Sequence, residues 1–281
     1  MKTKHSVQVI AVTGGKGGTG KSTFAINVSL ALATLGQRVA LLDGNLELPC
    51  IDALLNIKPT KTLSDLIEGN CSLKDILYTG PGGVSLLLGA AYSTTTKSLS
   101  TAHYCGIINA FNNLHNDIDA LIVDTASGAH HCALNFISAA HEVVMVICNE
   151  PASILNAHAL ISKLSDDYNI KKFRVIVNRA YSDQHGQGTF NTLLALTANS
   201  SDLSLLYAGH LPEDIAVRNA TQQRRAVYEL SPRSKYSREL DVIAKKINTW
   251  PLLTTPRGHI EFFMDSLIMA AHHQGTQITG E

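Results

Sequence analysis

Gly14-Gly15-Lys16-Gly17-Gly18-Thr19-Gly20-Lys21-Ser22-Thr23 follows an apolar run from Val7 to Val12 and opens a segment of amphipathic helical spacing that extends to Leu35. Glycines at this density let the backbone adopt positive φ and turn successive N–H groups toward one oxyanion. The helix that follows brings its own unsatisfied amides and the positive end of its dipole to the same place. The stretch therefore implies a phosphate cradle. Gly15, Gly17, Gly18, Thr19, Gly20 and Thr23 frame the ligand, Lys21 reaches the β- and γ-phosphates, and the Ser22 hydroxyl holds Mg²⁺. A second lysine, Lys16, lies inside the loop.

Outward from the loop, strands alternate with helices. Val7 to Thr13 reads as a buried parallel strand, and Phe24, Val28, Leu32 and Leu35 lay an apolar stripe along the helix that begins at Lys21. Gly36 ends that helix, and a strand over Arg38 to Asp43 completes a βαβ unit. Further strands are expected at Val84 to Leu88, Ala120 to Asp124, Val143 to Cys148, Phe173 to Asn178 and Leu205 to Ala208. The alternation predicts an α/β fold, a doubly wound and mostly parallel sheet with its ligand at the carboxyl ends of the strands. Tyr92 to Thr101, rich in serine and threonine, reads as an irregular loop. With no repeat and no Pro/Gly-rich linker, the division expected is one nucleotide-binding domain over residues 1–249, then a connector and a C-terminal amphipathic helix over 250–281. In Ala120-Leu121-Ile122-Val123-Asp124-Thr125-Ala126-Ser127-Gly128 an apolar strand ends in a carboxylate. Downstream of a phosphate loop, Asp124 is the expected Mg²⁺ partner, and Gly128 admits backbone close to a γ-phosphate.

Composition narrows the function classes. The 281 residues are 45% hydrophobic, enough for one large α/β domain, and 23 basic residues balance 23 acidic ones, so no global field draws the chain to DNA or to an anionic membrane. Five cysteines form no C-x-x-C pair, which speaks against an iron–sulfur or zinc site and for a reducing, cytoplasmic compartment. The His130-His131 and His272-His273 pairs lack further ligands at helical or hairpin spacing. Lys2 and Lys4 precede an apolar run that stops at Gly14 without a cleavage pattern, and no segment approaches the length of a membrane span.

Lys16 ahead of Gly-Gly-x-Gly-Lys-Ser is the deviant Walker A signature, and by it the chain resembles the MinD/ParA group of P-loop NTPases. Leu41-Leu42-Asp43, Thr62 to Gly69, Gly80 to Val84, Arg225 to Glu229, Pro232 to Lys235 and Trp250 to Leu252 extend the likeness over residues 7–263, toward the FleN/FlhG family of flagellar-number regulators. The resemblance implies an ATP- and Mg²⁺-dependent homodimer in which Lys16 contacts phosphates bound by the partner subunit. It also implies protein partners, the flagellar master activator FleQ and the placement GTPase FlhF, with a peripheral membrane or polar position as alternatives to a purely cytoplasmic one. Asn178, in Val177-Asn178-Arg179, and the Pro212-Glu213-Asp214 turn match the family's adenine-contacting positions.

The chain departs from that family where hydrolysis takes place. Members read Asp-x-Asp after the second strand, the second Asp positioning the attacking water, whereas this chain reads Asp43-Gly44-Asn45; the resemblance makes Lys16, Asp43 and Asn45 the candidate catalytic residues, with Asn45 in place of the family's Asp. An amide carries no charge and accepts no proton near neutral pH. Lost general-base help is worth about a hundredfold to ten-thousandfold, roughly 3 to 5 kcal/mol of barrier. The following Gly-Leu-Ala-Asn is altered to Glu47-Leu48-Pro49-Cys50, which stiffens a segment expected to move with nucleotide state. The expectation is an ATP-binding switch with hydrolysis slowed or absent; Glu47 as a substitute for the missing carboxylate is the rival.

His259 to Ala271 places Ile260, Phe263, Met264, Leu267, Ile268 and Ala271 on one helical face, where the family's resemblance implies membrane targeting. Glu261 and Asp265 stand on the other face and would be repelled by anionic lipid, so docking on the protein's own body or on a partner is the favoured reading. Basic clusters at Lys171-Lys172, Arg224-Arg225, Arg233 with Lys235, and Lys245-Lys246 lack the aromatic interleaving of a nucleic-acid surface. A ParA-type partition ATPase that binds DNA or membrane, and a nonhydrolysing scaffold, remain as alternatives.

Overall fold

Every residue of the first strand, β1 (Gln8–Thr13), is buried, because it lies in the middle of the sheet with helices on both faces. The computed structural model describes residues 6–89, 99–198, 202–269 and 271. After β1 come α1 (Lys21–Thr34), β2 (Val39–Asp43), α2 (Ile51–Leu55), α3 (Leu63–Ile67), β3 (Leu77–Thr79) and β4 (Ser85–Leu87). The chain continues through α4 (Thr101–Ala110), β5 (Ala120–Asp124), α5 (His131–Ala139), β6 (Glu142–Cys148), α6 (Pro151–Tyr168) and β7 (Lys172–Ala180). It closes with α7 (Asp183–Leu196), β8 (Ser204–Pro212), α8 (Ile215–Gln222), α9 (Val227–Leu230) and α10 (Lys235–Ile247).

One sheet in the order β3-β4-β2-β5-β1-β6-β7-β8 carries the fold, parallel throughout except for β3, which pairs antiparallel with β4. The short β3 was not expected from the sequence; three residues are too few to show a period. Strand residues alternate strictly between two cores. Val9, Ala11, Leu121, Val123, Met145 and Val175 face the layer that holds Tyr104, Phe136, Leu160 and Leu193. Ile10, Val12, Ile122, Val144 and Ile176 face the layer of α1 and α10, with Phe24, Leu32, Tyr236 and Leu240. The result is the expected doubly wound α/β sandwich.

The structure departs from the sequence expectations at α1, at the loop before α4 and in the C-terminal segment. Burial surrounds α1 from Phe24 to Leu32, so it is a central helix and not an amphipathic one, while Leu35 of the expected stripe is exposed. The side chain of Asn27 on α1 accepts the backbone N–H of Tyr228 at 2.9 Å, which ties the helix to α9. Most of the Tyr92 to Thr101 loop falls on residues 90–98, outside the described residues, and Thr101 already begins α4. The C-terminal helix starts late, at residue 264, because Phe263 has a φ of 58° and Gly258 one of 91°.

That C-terminal segment is docked on the same body. Phe262 lies edge-on to Phe111 with centroids 5.1 Å apart and stacks on Phe136 at 6.2 Å; Phe263 and Leu267 are buried beside them. Glu261 is fully buried and does not face solvent as its helical position implied: it accepts the Arg257 backbone N–H at 2.6 Å and the Arg257 Nε–H at 3.2 Å. Arg257 in turn donates to the Ala140 carbonyl at 2.6 Å, just past the end of α5. Ile268 and Met269 remain exposed. The connector before this segment is held as well, with the Arg174 guanidinium 3.8 Å over the Trp250 ring.

Candidate nucleotide site

The loop between β1 and α1 has the shape its glycines allow. Gly20 caps α1 with φ 90° and ψ 22°, a conformation that a side chain would oppose, and its missing Cβ leaves room for the Asn178 amide. A Cβ on Gly15 would overlap the backbone of Asn156 and Ala157 in α6, so the loop seats directly on that helix. Lys21 is buried at the mouth of α1; its ammonium donates to Ser127 Oγ at 2.5 Å and to the Lys16 carbonyl at 3.3 Å. Burial pulls its pKa down, against the opposing pull of Asp124. The Gly128 N–H donates to the Gly14 carbonyl at 2.9 Å, joining the β5 turn to the loop.

Asp43 and Asp124 are register partners at the ends of neighbouring strands, and their surroundings differ. Asp43 is fully buried and saturated: Oδ2 accepts the N–H groups of Cys50 at 2.9 Å and Ile51 at 3.0 Å, and Oδ1 that of Asn45 at 3.3 Å. Burial still raises its pKa to about 6, those N–H donors resisting the shift. Asp124 is as deeply buried, yet neither of its oxygens accepts a hydrogen bond. Burial and the neighbouring Asp43 raise it to about 7; Ser22 and Lys21 favour the charged form without closing a bond to it. A buried carboxylate without partners costs free energy unless a cation compensates it. Thr19 Oγ1, buried in the loop, likewise lacks a partner. Asp124 and Ser22 therefore fit a hard divalent cation, which would neutralise phosphate charge there.

Asn45 does not present its amide freely to this space. Its Nδ2–H donates to the Leu48 carbonyl at 2.7 Å and its Oδ1 accepts the Leu48 N–H at 3.4 Å, which closes a small ring over residues 45–48. Glu47 is exposed on this turn. The turn then delivers Cys50, whose Sγ lies 3.4 Å from Ser22 Oγ. Burial pushes the Cys50 thiol up to about 12; the nearby carboxylates add to the shift and Ser22 opposes it.

A cavity of about 960 Å³ is lined by Gly18, Gly20, Lys21, Ser22, Thr23, Asn45 and Cys50, and also by Asn178, Arg179, Pro212 and Glu213. The phosphate and base positions read from sequence thus share one space, of a size suited to a nucleotide. Asn178 also braces the loop, because its Nδ2–H donates to the Thr19 carbonyl at 2.8 Å. Lys16 forms an ion pair with Glu150 of its own chain at 2.5 Å. Ser127, Cys50, Arg179 and Glu150 were not singled out by sequence reasoning. Ser127, Cys50 and Arg179 lay within quoted stretches, but only the folded chain shows what they touch, Arg179 donating to the Gly18 carbonyl at 3.0 Å.

A family profile described as ParA, NUBPL iron-transfer P-loop NTPase, matches residues 5–248. The antiactivator FleN of Pseudomonas aeruginosa is 46% identical over 268 residues, which is 95% of this chain and 96% of that protein. The chain belongs to the ParA family. As a ParA-family member it shares the ATP- and Mg²⁺-binding character of these P-loop proteins in general terms. It is also similar to the flagellum site-determining protein YlxH of Helicobacter pylori, 26% identical over 92% of this chain and 90% of that one. The MinD in the MinC:MinD cell division protein complex of Aquifex aeolicus shares the fold, with a TM-score of 0.72, 22% identity and coverage of 87% of this chain and 97% of that one. No helix among the described residues is long and apolar enough to cross a membrane.

Proposed function

We propose that this ParA-family chain is an ATP-operated switch that restrains flagellar number or flagellar gene expression through protein partners, and that it turns ATP over slowly. The observation that carries the nucleotide part is Asp124, buried without a hydrogen bond beside Ser22 and Lys21. The 46% identity to an antiactivator over nearly the whole chain supports the flagellar part. In this reading the loop amides and Lys21 bind the phosphates, Ser22 and Asp124 hold Mg²⁺, and Asn178, Pro212 and Glu213 border the adenine. The metal supplies charge neutralisation between the phosphates. Lys16 leaves Glu150 and reaches the nucleotide of a second copy, giving an ATP-dependent homodimer, and an activator of the FleQ kind or a GTPase of the FlhF kind is the partner.

Slow turnover follows from Asn45, whose amide is engaged with Leu48 and brings neither charge nor basicity to a water. Iron transfer, named in the family description, would need sulfur ligands in a pair, and the cysteines are dispersed. Several basic clusters are already neutralised: Lys171 pairs with Asp202 at 2.6 Å, Lys172 with Glu142 at 3.0 Å and Arg225 with Glu229 at 2.9 Å, which disfavours a nucleic-acid surface. The test is molar mass in solution with ATP, with ADP and with no nucleotide, and phosphate release in the same samples. Doubling with ATP and little phosphate is expected. An unchanged mass refutes the switch; fast release refutes the role assigned to Asn45.

A further inference from the structure

We infer that Ser127 is a specificity-determining residue of this cavity: its hydroxyl reads the terminal phosphate, so that a nucleoside triphosphate binds more tightly than the diphosphate. The inference rests on the nucleotide reading above and adds to it how the switch tells its two ligands apart.

Three observations converge. The Lys21 ammonium, assigned to the outer phosphates, donates to Ser127 Oγ at 2.5 Å. That hydroxyl therefore lies within contact distance of whatever Lys21 binds, and both residues line the cavity. The place of Ser127 is fixed by the residues on either side of it. Thr125 donates its N–H and its Oγ1–H to the Val12 carbonyl, each at 3.0 Å, and the Gly128 N–H donates to the Gly14 carbonyl at 2.9 Å. A Cβ placed on Gly17 would come 3.9 Å from Ser127 Oγ, so the hydroxyl stands over the loop itself. Ser127 also stands at the end of the cavity away from the base wall. The sheet order puts β1 and β6 between β5, which precedes Ser127, and β7, which carries Asn178; that is three strand spacings, roughly 14 Å at about 4.8 Å each. A row of phosphates that starts at the base wall and crosses the loop comes to Ser127 last.

A serine hydroxyl carries one O–H donor and two acceptor lone pairs, and its rotor turns to suit the partner. In the empty chain it accepts from Lys21. Phosphate oxygens are charged and therefore the stronger acceptors for that ammonium. Once Lys21 turns to them, the Ser127 oxygen is released and its O–H can donate to a terminal phosphate oxygen, a charge-assisted hydrogen bond. A diphosphate ends one phosphate short and gains no such bond. The exchange leaves no buried donor without an acceptor, because each group trades one partner for another. A role for Ser127 limited to parking Lys21 would act alike on both nucleotides, since both must draw the ammonium away. The two roles therefore part at the ratio of triphosphate to diphosphate affinity.

The experiment measures, by calorimetry with Mg²⁺ present, the affinities of ADP and of the nonhydrolysable β,γ-imido analogue of ATP for the full chain, for Ser127→Ala and for Ser127→Thr. In Ser127→Ala the triphosphate is expected to lose about tenfold to a hundredfold in affinity, the usual worth of a hydrogen bond to a charged group, while ADP affinity stays nearly unchanged. Ser127→Thr keeps the hydroxyl and should retain most of the preference. The same series on Lys16→Ala, which lacks the lysine assigned to the second copy, takes assembly out of the ratio, and the ratio is expected to move there by the same factor. If both nucleotides shift together in Ser127→Ala, if neither shifts, if Ser127→Thr loses the preference as alanine does, or if the effect vanishes without Lys16, the reading of the terminal phosphate is refuted and the nucleotide site stands. If the parent chain binds neither nucleotide, the nucleotide reading falls and takes this inference with it.

Discussion

The phosphate loop with its β5 neighbour and the turn after β2 face the same cavity in opposite chemical conditions. On the loop side polar atoms are left open: Asp124 has two unbonded oxygens and Thr19 one, all buried. On the turn side Asp43 holds three backbone N–H groups and Asn45 is closed on Leu48. Unsatisfied buried groups are unfavourable in an empty chain and persist where a ligand completes them. Satisfied ones are scaffolding. The contrast separates a half whose buried polar atoms are open from a half whose polar atoms are closed on the chain's own backbone, and in the function proposed here the first receives charge while Asn45 in the second serves structure.

The largest effect should come from restoring the carboxylate. Asn45→Asp is expected to raise phosphate release by about a hundredfold or more, the usual worth of a positioned base; no gain in a single-turnover assay would mean that the closed turn, not the missing charge, blocks hydrolysis. Next, the two buried aspartates should respond in opposite directions. Asp124→Asn removes an uncompensated charge and should stabilise the nucleotide-free chain near neutral pH, by at most about 4 kcal/mol for a shift from 3.8 to about 7. Asp43→Asn turns an amide donor toward backbone donors and should destabilise it by about 1 to 3 kcal/mol. Denaturant melts of both variants check this, and equal signs would erase the contrast. The pH dependence has a defined sign: Asp124, raised in the folded chain, contributes stability that is present below pH 3.8 and is lost as pH rises toward 7. Melts across that interval should show a smaller downward slope in Asp124→Asn than in the parent chain.

Smaller effects test the loop. Lys21→Ala removes a charged donor and should weaken ATP binding roughly tenfold to a hundredfold by calorimetry. Glu150→Gln releases Lys16 from an exposed, solvent-screened pair that contributes little, so dimerisation should need only slightly less ATP. A large shift in light scattering would show that the pair is a stronger restraint than its exposure suggests.

The fold was legible because its signals are local. Ala120–Asp124 is a strand in both the sequence reading and the structure, and buried strands of this kind betray themselves as short apolar runs bounded by turns. The loop was legible for the same reason, since its donors are consecutive amides. Less could be read where a residue's role depends on what folds back against it. The apolar face assigned to α1 failed because a helix buried all round has no stripe to find. Glu261 read as solvent-facing from its helical position, yet Arg257 four residues earlier buries and neutralises it.

From sequence alone came the order of strands and helices, the glycine-rich loop, the strand-end aspartate proposed to hold the metal and the Asn45 that stands where the resemblance implies a second carboxylate, all carried by residues adjacent in the chain. Tertiary structure alone decided that Asp124 lacks a partner while Asp43 has three, that Asn45 closes on Leu48, that Cys50 meets Ser22 and that Lys16 pairs with Glu150. Those contacts join segments separated by turns whose closure depends on packing, and hydrogen bonds and desolvation act through space, where sequence spacing no longer measures distance.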